Sequence, residues 1–113
     1  MDTLEVLEKA RELISDPKRW TKAYYATNDD SNWLTPADQS ACRFCMVGAL
    51  AKVADTSVFQ AEHSEAYNAL ADVVVYELCE YVSVFNDRAE HHEVLAAFDL
   101  AIAKLKESAH VPQ

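Results

Sequence analysis

The sequence predicts a small all-α domain: three or four main helices packed around one central apolar helix, with an aromatic-rich loop closing one side. Two observations carry this expectation. Apolar residues recur at helical spacing through most of the 113-residue chain. Helix-start signals stand before three of the periodic stretches, at Asp2, Thr35-Pro36 and Ser64. The length suits a single domain over residues 1–113. With 50% apolar residues the chain can bury a core of its own.

The first helix is expected over Thr3 to Ser15, capped by Asp2 with Glu5 three residues on. Val6, Leu7, Ala10, Leu13 and Ile14 share its inner face. Asp16-Pro17 ends it. From Lys18 to Leu34 the pattern is irregular, with Trp20, Tyr24, Tyr25 and Trp33 around the turn cluster Asn28 to Asn32. Lys22 to Thr27 can run extended. The aromatics either fold back as a lid over the core or present a binding surface.

Thr35-Pro36 reads as a cap followed by proline at the first helical position. A second helix is therefore expected to run to Ala54. Phe44 to Ala51 contains no charged residue, so this helix should be surrounded by its neighbours. Gly48, the sole glycine, sits within it and points to a close backbone approach. Asp55 to Glu62 reads as a linker with a short turn at Val58 and Phe59. Ser64 caps a third helix reaching Val82, with Tyr67, Leu70, Ala71, Val74, Leu78, Tyr81 and Val82 inward. Val84-Phe85-Asn86-Asp87 breaks the period. A last helix spans Glu90 to Ser108, and Ala109 to Gln113 should fray.

The charge pattern narrows the function. Ten Lys and Arg against 19 Asp and Glu give a net charge of −9. That opposes direct nucleic-acid binding and docking on anionic membranes. No apolar run is long enough to span a membrane, and the acidic N-terminus does not read as a signal peptide. A cytoplasmic protein is the expectation. Val53 to Asp87 carries no Lys or Arg, which predicts one acidic flank. Glu65, Asp72 and Glu80 on that flank could stand in for phosphates against a basic protein surface.

Three cysteines, at 42, 45 and 79, favour free thiols over a disulfide framework. If Cys42 and Cys45 lie on one helix, their side chains point about 60° apart and could share a metal or a disulfide. No second pair of metal-ligand spacing follows, so we assign no metal and no cofactor. A thioredoxin-like role needs the thiol at a helix N-terminus after a strand, which an interior helical position denies. His91-His92 diverge by about 100° on a helix and make a poor joint metal site. Asn86 and Asp87 read as caps or as contacts to a ligand.

Trp20 after the first helix, Cys45 followed by Gly48-Ala49-Leu50, and Phe85-Asn86-Asp87 followed by Glu93-Val94-Leu95 form a pattern over most of the chain. In it the sequence resembles an uncharacterised bacterial family, domain of unknown function 6197. The resemblance implies a unit of fold and no mechanism. A glycine expected between Lys22 and Asp30 is missing.

The reading is a small acidic binding or protein-interaction module, of the kind mobile elements and phages encode, with a protein as partner. The apolar fraction is compatible with a homodimer. Its tentative binding residues are Trp20, Tyr24, Trp33, Cys45, Asn86 and Asp87. The alternative is a Cys-based enzyme or metal-dependent sensor that uses Cys45 with Asn86, Asp87 and a histidine.

Overall fold

A computed structural model of the chain describes residues 1–109. Among these the backbone forms α1 (Thr3–Leu13), β1 (Ala26–Thr27), β2 (Trp33–Leu34), β3 (Arg43–Phe44), α2 (Met46–Ala54), α3 (Val58–Glu62), α4 (Glu65–Leu78), α5 (Val82–Arg88) and α6 (His91–Ala109). One turn of 3-10 helix covers Pro17–Arg19. No helix among the described residues is long and apolar enough to cross a membrane. Of the tail expected to fray, Ala109 closes α6; the rest lies outside the described residues.

α1 starts as expected, with the Asp2 carboxylate accepting from the Glu5 amide at 2.8 Å. Val6, Leu7 and Ala10 of this helix are buried, as is Ile14 just past its end. α1 packs on α2, α4 and α6. α2 is short but central: Met46 through Ala51 are all buried, and it touches α1, α3, α4, α5 and β3. Surrounding a helix on all sides suits an uncharged run.

The all-α expectation is corrected. A small antiparallel sheet of order β2-β1-β3 stands beside the helices. Ala26 pairs with Leu34 and Phe44, and Thr27 with Trp33 and Arg43. The cause lies at Thr35-Pro36, which opens a turn and not a helix. The Asp38 amide donates to the Thr35 carbonyl at 3.0 Å, with Pro36 second in the turn. The Asp38 carboxylate then takes the Ser40 amide at 2.8 Å, drawing the backbone away from a helical ladder. Arg43 and Phe44 continue extended, and α2 begins only at Met46, capped by the Cys45 sulfur.

Two further boundaries move. The helix expected from Ser64 to Val82 breaks at Cys79, which adopts the left-handed conformation at φ 59°. The Glu80 amide turns back to the Val74 carbonyl at 3.2 Å, and α5 begins afresh at Val82. Leu78 and Tyr81, placed inward by an unbroken helix, are therefore exposed. Phe85-Asn86-Asp87 lies inside α5, and Ala89, in extended conformation, separates α5 from α6. The linker turn at Val58 becomes α3, fixed by a capping box between Ser57 and Gln60.

Candidate functional site

The residues singled out by the sequence divide into an internal node and an outward-facing groove. Asn86 is the centre of the node and is 2% exposed. Its Oδ1 accepts from Trp20 Nε1 at 2.8 Å and from the Met46 amide at 3.1 Å. Met46 is the first residue of α2, so its N–H has no carbonyl within the helix to serve it. Asn86 Nδ2 donates to the Thr21 carbonyl at 3.1 Å and to Asp87 Oδ1 at 3.3 Å. The same Asp87 oxygen accepts from the Ala23 amide at 2.8 Å. Both ends of the Asn86 amide are thus engaged, and its work is to tie the Trp20–Ala23 strap to the start of α2.

The strap is held from other sides as well. The Trp20 ring packs on His91, centroids 5.6 Å apart, and Lys22 Nζ lies 5.5 Å from its centroid. His91 Nε2 donates to the Ile14 carbonyl at 2.6 Å. The Tyr25 carbonyl accepts from the Cys45 amide at 3.2 Å. Gly48 makes this approach feasible: a Cβ there would stand 2.9 Å from the Tyr25 carbonyl carbon and closer still to its oxygen.

Cys45 stands at a helix N-terminus after a strand, the position an interior helical thiol would not occupy. Its sulfur accepts from the Gly48 amide at 3.3 Å. Burial nonetheless dominates and pushes the thiol up to about 11, against the opposing Gly48 and Val47 amides. At neutral pH it is protonated and a poor nucleophile. Cys45, Tyr24, Asn86 and Asp87 do line one cleft of about 170 Å³. Among the described residues the histidines stand elsewhere: His63 with the Phe59 carbonyl, His91 with that of Ile14, and His92 exposed beside Glu90.

The shared helix assumed for Cys42 and Cys45 is absent. Extended backbone separates them by about 10 Å between Cα atoms, beyond disulfide reach. Cys42 Sγ donates instead to Asp29 Oδ1 at 3.3 Å. No group of three or more His, Cys, Asp or Glu side chains suited to a metal lies among the described residues. On the acidic flank, Glu65 and Asp72 are exposed on α4, and Glu65 accepts from the Thr3 hydroxyl at 3.1 Å. Glu80 lies past the Cys79 break and is paired with Arg88 at 2.6 Å. It is apart from the other two, and one of its oxygens is shielded without a partner.

Trp33 belongs to a different feature. It is 62% exposed and lines a groove of about 590 Å³. Phe59, 72% exposed, lines it too, along with Tyr25, Leu34, Pro36 and Val58. Phe59 stacks on His63 at 4.4 Å between centroids. Thr56 also lines the groove, and its Oγ1 is shielded without a hydrogen-bond partner among the described residues. Such a group usually awaits a water or a ligand. Sequence reasoning named Trp33 but left Phe59 in a linker. The Ser57-x-x-Gln60 capping signature could have found it, since it fixes the register of α3 that turns Ala61 inward and Phe59 outward.

Comparison with curated proteins and with solved structures returned no match. Among protein families, the model described as a family of unknown function, DUF6197, matches residues 1–104. Trp20, Cys45, Gly48 and Asn86, four of the residues that carry the resemblance, meet around the strap. The chain belongs to the DUF6197 family.

Proposed function

We propose that the chain is a small binding module whose recognition surface is the groove between Trp33 and Phe59. One observation carries the reading: two large aromatic rings that line one apolar groove are left more than half exposed. Leaving such rings in water forgoes about 2 kcal/mol each of burial, which a partner would recover. An apolar concavity with a few polar groups at its base is the usual form of a ligand site. Trp20 and Asn86 then serve the fold, and Trp33 serves the partner. Cys45 contributes a neutral thiol to the core.

The test is NMR mapping with small aromatic fragments such as indole and phenol. The expected result is amide shifts confined to Tyr25 and the non-proline residues of 33–37 and 55–60. Shifts centred on another surface, or none at all, would remove the groove as the recognition surface.

A further inference from the structure

This inference rests on the groove reading and names the occupant. We propose that the groove takes an extended peptide segment of a partner protein, presenting an arginine or lysine beside an apolar side chain. Among the described residues Asp55 is the one charged residue lining the groove, and no cation lines it. Glu62, on α3, lies close enough to Tyr25 and Tyr67 to add to the upward push that burial gives both phenols. Neither Asp55 nor Glu62 has an ion-pair partner among the described residues. Among the described residues, four cations are held by other carboxylates: Arg11 by Asp99, Arg88 by Glu80, Lys104 by Glu77 and Lys106 by Glu8. A cationic side chain entering here meets the Asp55 carboxylate, with Glu62 adding negative charge from the end of α3.

The aromatic walls favour the same cation. A guanidinium stacks on an exposed aromatic face while its edge reaches a carboxylate, so both interactions can form together. Extension is favoured by the sheet. β2 is an edge strand, and its two residues, Trp33 and Leu34, both line the groove. An extended segment laid beside that edge can bond its backbone while alternate side chains enter the groove. A compact small molecule would use the aromatic walls but not the edge.

Selection from a displayed random peptide library of about twelve residues tests this, using wild-type protein with counter-selection on Trp33→Ala/Phe59→Ala. Enriched peptides should carry Arg or Lys next to a Leu, Phe or Trp. Synthetic versions, followed by fluorescence polarisation, should lose about tenfold in affinity to Asp55→Asn/Glu62→Gln, and should weaken at about 0.3 M salt. Enriched peptides that are neutral or acidic, or that ignore the carboxylate substitutions, overturn the basic partner and leave the groove reading standing. Peptides that bind the aromatic double variant equally well, or no enrichment at all, overturn this proposal; the fragment mapping then decides separately whether the groove binds anything.

Discussion

The Trp20 indole and the Asn86 carboxamide meet at 2.8 Å across 66 residues of chain, and the same oxygen receives the first amide of α2 at 3.1 Å. One buried side chain thereby fixes a loop and caps a helix. Asn86→Ala leaves the Trp20 indole, the Met46 amide and the Thr21 carbonyl without this partner. Each such loss costs about 1–3 kcal/mol, so the variant should lose roughly 3–5 kcal/mol in urea unfolding. Trp20→Phe should lose about 1–2 kcal/mol, and the double variant much less than the sum. Additive losses would mean that the two side chains do not act as one unit.

Gly48 is a second point of closure. In Gly48→Ala the added methyl meets backbone, the Tyr25 carbonyl, and not a side chain that can swing away. The loss should reach at least about 3 kcal/mol in spite of the gain in helix propensity. A stabilised Gly48→Ala would show that the strap does not lie against α2.

Ala23 holds the left-handed conformation at φ 72° while its amide binds Asp87. An alanine there carries about 1–2 kcal/mol of strain that glycine escapes, partly offset by glycine's freer unfolded chain. Ala23→Gly should therefore gain about 0.5–1 kcal/mol in thermal or urea unfolding. A destabilised variant would contradict the strained conformation.

The Cys45 thiol titrates at about 11 in the folded protein against an ordinary value of 9.0. Above the unfolded value the unfolded chain releases its proton first. Stability should therefore fall as pH rises from about 9 to about 11, by roughly 2–3 kcal/mol for this group. Cys45→Ala should flatten that part of the profile. In native protein at neutral pH, iodoacetamide should label exposed Cys79 first and Cys45 last. Rapid native labelling of Cys45 would revive the nucleophile reading.

Local signals were legible where local chemistry decides. Asp2 and Ser64 cap α1 and α4 as their side chains suggest. The uncharged run from Phe44 to Ala51 is buried as its composition requires. Thr35-Pro36 misleads because the φ of proline suits the first position of a helix and the second of a turn equally. Asp38, three residues after Thr35, selects the turn. Cysteine is an uncommon cap, so the true start of α2 carries no familiar mark. The break at Cys79 is invisible for a similar reason, since a left-handed residue there would ordinarily be glycine or asparagine. The role of Asn86 depends on partners 40 and 66 residues away, and no spacing rule reaches that far. The groove was half legible: Trp33 stood out by type, while Phe59 became visible only once α3 was in place.

Buried Asn86 holds the fold together, whereas exposed Trp33 is free for a partner. Equilibrium urea unfolding of Trp33→Ala/Phe59→Ala beside Asn86→Ala tests it most directly. The account predicts that the aromatic double variant stays within about 1 kcal/mol of wild type while Asn86→Ala loses several. A double variant that unfolds as readily as Asn86→Ala would make the groove walls part of the core and contradict the account.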